Sequence, residues 1–221
     1  MKLIVLGSPN SPYLRKPRIV AAEKNIELEF QPNSPWTQDS LAPAYNPLAK
    51  IPILILEDGS TLYDSRVIVE YLDTLNASPR LIPTEDGARI RVKRWEALAD
   101  GICDAAAAIF MELQYPAEQR RAEWIERQTK KIVQGVRAAA DDLGAREWCF
   151  GETYTLADAA LICALEYIEF RIPEVLDWRT AYPNLAGYAE RIGGRESARR
   201  TAPPKRGETA HEGHTFNPGI A

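Results

Sequence analysis

The period of the apolar positions changes along the chain, and the change marks two architectures. Leu3 to Leu6 are consecutively apolar, as in a strand covered on both faces. Gly7-Ser8-Pro9-Asn10 reads as a turn, and Ser11-Pro12 as an N-cap followed by the first helical residue. The helix predicted from there to Lys24 carries Leu14, Ile19, Val20 and Ala22 among charges. Pro17 sits in its second turn, where a missing N–H and a ring clash cost about 3 kcal/mol, so a kink or a late start is expected. Glu27 to Phe30 alternates, as a half-buried strand does. Residues 32–43 are irregular, with Trp36 among them and a short helix expected after Asp39. Ile53 to Leu56 suit a buried strand, Asp58-Gly59 a hairpin turn, and Thr61 to Tyr63 a short return strand. Asp64-Ser65 then opens a helix expected to reach Leu75. The sum is βαβ followed by ββα, a small mixed sheet with helices packed on it.

Beyond Leu75 the strand signals vanish. Asn76 to Pro83 has the composition of a linker. Glu85 to about Leu113 is predicted helical, with Ile90, Trp95, Leu98, Ile102, Ile109 and Leu113 on its apolar face. A second helix is predicted from Pro116 to Leu143, with Trp124, Ile125, Ile132, Val133 and Val136 facing inward. Thr155-Leu156-Ala157-Asp158 is a capping-box start, and the helix behind it is apolar nearly all round, so it should be buried. A further helix follows Pro183. The expected division is an α/β domain over 1–76, a linker over 77–84, an all-α helical bundle over 85–202 and a mobile tail over 203–221. The tail carries both histidines, His211 and His214, read as solvated.

Composition excludes more than it selects. A chain of 221 residues fits one large domain or two small ones, and a net charge of -4 gives no nucleic-acid footprint. No apolar run approaches the roughly 20 residues of a membrane span. The first seven residues are too short for a signal peptide and read as the first strand. Cys103, Cys149 and Cys163 are odd in number and lack a C-x-x-C, which argues against a disulfide framework or zinc. The expectation is a reducing, cytoplasmic setting, packed cysteines, and no metal, nucleic-acid or membrane partner.

The candidate chemistry lies between Asn46 and Ser65. Ile51-Pro52 is a candidate cis bond, which would aim the Ile51 backbone N–H and C=O outward, open to pairing with a peptide. The helix opening at Ser65 would offer its N–H groups to a carboxylate. The inferred site reads a small anionic peptide through backbone groups. The competing reading is a plain proline-bounded hairpin.

Three motifs in this order resemble the cytosolic glutathione transferase family over roughly residues 1–202. They are Ser11-Pro12-Tyr13-Leu14-Arg15-Lys16, Asn46-Pro47-Leu48-Ala49-Lys50-Ile51-Pro52, and Asp64-Ser65 followed by Ile68. The Thr155 to Asp158 box is similar to the one that starts the family's buried helix. The run Arg94 to Ile102 most resembles the bacterial YibF-like group. The sequence departs from the family at Ala49, where Gly is common, and at Asp64, where Glu is usual.

The resemblance implies a thioredoxin-like N-terminal domain, a helical C-terminal domain and a detoxifying transferase that conjugates glutathione to small hydrophobic electrophiles. Glutathione is then a co-substrate, with no permanently bound cofactor. The resemblance gives Ser11 the catalytic role of stabilising the thiolate, with Ser8, Asn10 and Tyr13 as rival donors. It gives Ile51, beside a cis Pro52, the cysteinyl backbone, and Lys50 the glycyl carboxylate. Asp64 would take the γ-glutamyl ammonium and Ser65 its carboxylate. It also implies an apolar pocket between the domains, for which Tyr13, Trp36, Phe110, Met111 and Tyr115 are candidates. Arg91, Asp100 and Asp104 are candidates for meeting a partner subunit of a homodimer or a neighbouring glutathione. A glutathione-binding carrier or regulator with little catalysis is the alternative function.

Overall fold

The computed structural model describes residues 2–203, so the tail expected from 203, with its two histidines, lies outside the described residues apart from Pro203. The chain forms two compact units, one running to Ser78 and one covering Pro79–Ala202.

In the first unit the elements run β1 (Ile4–Gly7), α1 (Pro12–Glu23), β2 (Glu29–Pro32), α2 (Ala42–Tyr45), β3 (Ile53–Ile55), β4 (Thr61–Leu62) and α3 (Ser65–Leu75). The sheet order is β2-β1-β3-β4, with β1 parallel to β2 and antiparallel to β3, and β3 antiparallel to β4. This is the thioredoxin-like arrangement. Alternation puts Leu6 and Ile53 on one face, where Ala42 of α2 packs, and Val5 and Leu54 on the other. All five are fully buried.

Local differences from the sequence expectation have local causes. α1 starts at Pro12 and runs through Pro17, so the late start does not occur. Pro17 is buried there and has no N–H to offer the Tyr13 carbonyl. β2 begins two residues later than its alternating pattern, because pairing of Glu29 with Ile4 sets its ladder. Its last residue is Pro32, tolerable on an edge strand.

One buried ion pair closes this unit. Lys24, at the end of α1, has a side chain 0% exposed and donates from Nζ to Asp73 Oδ1 at 3.0 Å and to the Asn76 carbonyl at 2.7 Å. Asn76 Nδ2 returns a bond to the Lys24 carbonyl at 2.9 Å. The far ends of α1 and α3 are thus tied by three bonds, of which the one between Lys24 and Asp73 is buried and the two to Asn76 are part-buried.

The second unit holds α4 (Asp86–Glu112), α5 (Ala122–Leu143), α6 (Leu156–Arg171), α7 (Trp178–Ala181), α8 (Pro183–Gly193) and α9 (Glu196–Arg200). α4 packs on both α5 and α6. The approach to α5 is close: a Cβ at Gly135 would stand 2.8 Å from Ile102. Ile90, read as part of α4's apolar face, is instead 66% exposed. It sits about 140° round the helix from Trp95, and Val92 takes the inward place. The helix expected from Pro116 begins instead at Ala122, after a 3-10 turn at Ala117–Gln119. The cause is the buried Glu112 carboxylate, which accepts from the Arg121 backbone N–H at 2.7 Å and from its guanidinium at 2.6 to 3.2 Å. That grip fixes Arg121 outside the helix as its N-cap.

Thr155 and Asp158 form the expected capping box, and α6 is buried along most of its length. The fully buried Asp158 carboxylate accepts from the Thr155 N–H at 2.8 Å, the Thr155 hydroxyl at 3.1 Å, the Cys149 N–H at 2.9 Å and the Tyr188 hydroxyl at 2.9 Å. Four donors fill its acceptor sites. The Cys149 Sγ lies 3.1 Å from the Tyr188 Oη. Burial, then the neighbouring Asp158 charge, pushes the Cys149 thiol well above its ordinary value. Burial, then the charges of Cys149 and Asp158, does the same to the Tyr188 phenol.

Two outcomes follow from these buried networks. Lys24→Met alone should cost about 3–5 kcal/mol in urea unfolding, because it strands the Asp73 carboxylate, and adding Asp73→Leu should recover most of that loss. A single-variant cost under about 1 kcal/mol would show the pair to be solvated. In alkali, a folded pKa raised above the unfolded one means the folded chain holds its proton more tightly. The stability that Cys149 and Tyr188 contribute is therefore intact below their ordinary values of 9.0 and 10.0 and is lost as pH climbs from there. Urea midpoints between about pH 8 and 11 should fall less steeply in a Cys149→Ala, Tyr188→Phe variant than in the parent. Equal slopes would contradict the burial of both protons.

Candidate functional site

The ladder of the sheet brings three separate segments to one end of the first unit. β1 leads out of the sheet at Gly7 toward Ser11. β3 pairs antiparallel with β1, Leu6 against Ile53, so the Ile51-Pro52 turn enters the sheet beside the point where β1 leaves it. β4 is antiparallel to β3, so it exits toward Asp64 and Ser65 at that same end. β2 runs parallel to β1 and delivers the loop holding Trp36 there as well. Trp36 is 54% exposed.

Ser11 caps α1. Its Oγ accepts the Leu14 N–H at 3.3 Å, and its own N–H donates to the Ser8 carbonyl at 3.0 Å. Among the described residues, the hydroxyl proton of Ser11 has no acceptor. Of the rival donors, Ser8 and Asn10 are buried, and the Ser8 hydroxyl accepts the Asn10 N–H at 3.3 Å. Ser11 and Tyr13 are half-buried. Ser11 is therefore the hydroxyl at the mouth of the helix, where the positive end of the peptide dipoles favours an anion.

The Ile51-Pro52 bond is cis, as is that between Tyr63 and Asp64. Neither the N–H nor the C=O of Ile51 is bonded to another described residue. The loop before it is held by Asn46, which is 2% exposed. Its Nδ2 donates to the Lys50 carbonyl at 2.9 Å, its Oδ1 accepts the Leu48 N–H at 3.0 Å, and its carbonyl accepts the Ala49 N–H at 2.8 Å. Asn46 thereby fixes the peptide that leads into Ile51. The Lys50 side chain is exposed. Sequence reasoning gave Asn46 no role, although Asn followed by Pro is a turn signal whose mechanism is this side-chain grip. Ala49 adopts φ 52°, the left-handed region that suits Gly.

At the third segment Asp64, not Ser65, is the N-cap of α3. Its Oδ1 accepts the Arg66 N–H at 3.0 Å, and its carboxylate is exposed. Ser65 is the first helical residue and is 2% exposed. Among the described residues, neither its N–H nor its hydroxyl has a partner. One end of the sheet thus gathers an acidic side chain, two hydroxyls and a peptide edge whose hydrogen-bonding capacity the described residues do not fill. Such a set can take up a short peptide carrying both an ammonium and a carboxylate.

The remaining candidates belong to the second unit. Phe110 and Met111, near the end of α4, and Tyr115, just past it, are half-buried. Arg91 and Asp104 are exposed and Asp100 is buried on the same helix.

Comparison with known proteins gives a consistent result. A family model described as the N-terminal domain of glutathione S-transferase matches residues 10–75, and one described as its C-terminal domain matches residues 122–191. The chain is 36% identical over 207 residues to the "Uncharacterized GST-like protein YibF" of Escherichia coli (strain K12), which spans 93% of this chain and 100% of that protein. A solved glutathione S-transferase from Methylobacillus flagellatus KT with glutathione bound is 45% identical, with a TM-score of 0.89 over 92% of this chain and 100% of its own. A glutathione transferase family member from Pseudomonas fluorescens Pf-5 with bound S-(propanoic acid)-glutathione is 33% identical, with a TM-score of 0.81 over 93% and 100%.

The backbone at residue 49 yields a stability test. Replacing Ala49 by Gly should remove the left-handed penalty and raise stability by about 0.5–1 kcal/mol, net of the extra freedom Gly gives the unfolded chain. A lowered thermal midpoint in Ala49→Gly would contradict the conformation described for this loop.

Proposed function

The chain belongs to the glutathione S-transferase family, and from that premise we propose that it binds glutathione at this end of its N-terminal unit and conjugates it to small electrophiles. One observation supports the reading above the rest: unfilled polar groups from three segments converge at one sheet end, with the Ser11 hydroxyl at a helix mouth among them. Each part of the tripeptide has a counterpart. The Ile51 backbone takes the cysteinyl residue, with Pro52 fixing the bend. Lys50 takes the glycyl carboxylate. Asp64 takes the γ-glutamyl ammonium, and Ser65, through its N-H and hydroxyl, takes the γ-glutamyl carboxylate. The Methylobacillus flagellatus relative holds glutathione, and the Pseudomonas fluorescens relative holds a glutathione whose sulfur carries a propanoic acid, the kind of product that alkylation of a thiolate gives.

Ser11 is proposed to donate its hydroxyl proton to the glutathione sulfur while its lone pair keeps the Leu14 N–H. Because the bond strengthens as the sulfur becomes charged, it lowers the thiol pKa. Phe110, Met111 and Tyr115 are proposed to serve the electrophile. The protein is proposed to act as a cytoplasmic homodimer in detoxification.

Ultraviolet titration of the thiolate in the glutathione complex tests the mechanism. The parent should show a thiol pKa about one to two units below the free value of ~8.5, and Ser11→Ala should return at least half of that shift. Turnover of an electrophile panel should fall about 10- to 100-fold in the variant. An unshifted thiol in the parent would sink the transferase reading and favour a glutathione carrier or regulator.

A further inference from the structure

The first unit contains a buried amide whose grip decides where the Ile51 N–H points. Asn46 is 2% exposed and is the C-cap of α2, extended at φ -142° and ψ 117°, the region favoured before a proline. Its own N–H donates to the carbonyl of Ala42 at 2.9 Å, which ties it to a residue packed with Leu6 and Ile53. From that anchor its side chain reaches Lys50, donating from Nδ2 to the carbonyl at 2.9 Å. The Lys50 carbonyl and the Ile51 N–H belong to one planar trans peptide, so they point in opposite directions. Holding the carbonyl on one side therefore aims the Ile51 N–H to the other, where no described residue accepts it. The Ile51 side chain packs against the Leu6, Ala42 and Ile53 cluster, which fixes the residue from its other end.

The turn between Asn46 and Lys50 is not one the chain takes unaided. Ala49 stands at φ 52°, a region unfavourable to an L side chain and open to glycine. Such a residue persists only where its surroundings over-determine it. The Asn46 carbonyl accepts the Ala49 N–H at 2.8 Å, Asn46 Oδ1 accepts the Leu48 N–H at 3.0 Å, and Nδ2 holds Lys50. All three bonds are made by Asn46, two of them by its side chain. Without that side chain the Lys50–Ile51 peptide is free to rotate, and a ligand has to order the Ile51 N–H at the moment it binds.

We propose that Asn46 is a positioning residue for glutathione: before any ligand arrives, it fixes the Ile51 N–H in the direction from which that group donates to the cysteinyl carbonyl. The inference rests on the glutathione-binding reading and names what holds one donor of that site in place. Asn46 acts without touching the tripeptide, and its effect passes through the Lys50–Ile51 peptide.

Calorimetry on the full chain tests this with two ligands, glutathione and an isostere whose cysteinyl–glycyl amide is a trans alkene. The alkene keeps the shape of the peptide and removes the cysteinyl carbonyl. The parent should bind glutathione about 10-fold more tightly than the alkene. In Asn46→Ala, glutathione should weaken about 10-fold while the alkene changes less than about threefold, so the preference collapses. Asn46→Asp keeps an acceptor for the Leu48 N–H and sets a carboxylate oxygen against the Lys50 carbonyl. It should show the same collapse, and it carries the test where the alanine variant does not fold. Equal losses for glutathione and alkene would give Asn46 a structural role only and overturn the inference. So would a preference unchanged from the parent's in both variants. A parent that binds the two ligands equally overturns it as well, with glutathione binding left standing. A parent that binds neither overturns the glutathione reading and this inference with it.

Discussion

The antiparallel register of β1 with β3 is the constraint on which the site depends. Strand pairing has a period of two, so a slip of one residue would exchange Leu6 and Ile53 with Val5 and Leu54 across the sheet. Burial on both faces forbids that exchange, because each face presents side chains already fitted to helices. Register in turn decides where the chain enters and leaves the sheet. The Ser11, Pro52 and Ser65 segments are far apart in sequence and share one end only because β1, β3 and β4 alternate in direction. Core packing and ligand geometry are therefore one problem here, and the buried Lys24–Asp73 pair closes the opposite ends of the same two helices whose N-termini open onto the site.

Modest terms suffice for the proposed chemistry. A free thiol titrates near ~8.5, so a shift of one to two units makes the thiolate the main species near neutral pH. Each unit corresponds to about 1.4 kcal/mol. A hydrogen bond to a charged group contributes about 1.5–3 kcal/mol, and a helix N-terminus about 0.3–1 kcal/mol. One serine hydroxyl at one helix mouth is enough in magnitude, without a metal or a second base. What distinguishes Ser11 from the rival donors Ser8 and Asn10 is exposure: Ser11 is half-buried at the helix mouth, whereas Ser8 and Asn10 are buried.

Much of this was legible in the residues, because local signals and global fold agree. Ser11-Pro12, Asp58-Gly59 and the Thr155 to Asp158 box each announce a backbone event, and the structure places a helix start, a hairpin or a capping box at each. What periodicity could not show are the bonds between positions distant in sequence. The start of α5 at Ala122 is set by a carboxylate nine residues earlier. The aromatic contacts of Arg171 join α4 to α6 across 61 residues. Ile90 and Trp124 fit a helical apolar stripe on paper yet lie exposed, since a stripe is wider than the surface that covers it. Asn46 was readable as a turn residue. Its grip on the Lys50 carbonyl, which sets the peptide edge of the site, depends on how the loop folds back.

The placement of the cysteines carries the last step. A glutathione-dependent reductase working through mixed disulfides needs a protein thiolate that can reach the tripeptide's sulfur. The N-terminal 102 residues contain no cysteine, and the residue at the helix mouth is Ser11. Cys103, Cys149 and Cys163 are all buried in the helical unit. Cys149 is furthest from such a role. Its thiol is held in the neutral form by burial and by the Asp158 charge, and it sits within the network that anchors the buried helix. Ionising it would place a second negative charge beside a carboxylate that already occupies its four donors. In the proposed chemistry the reacting sulfur is therefore the ligand's own, and the contribution proposed for the protein is the Ser11 hydroxyl, a helix end and the Ile51 peptide edge.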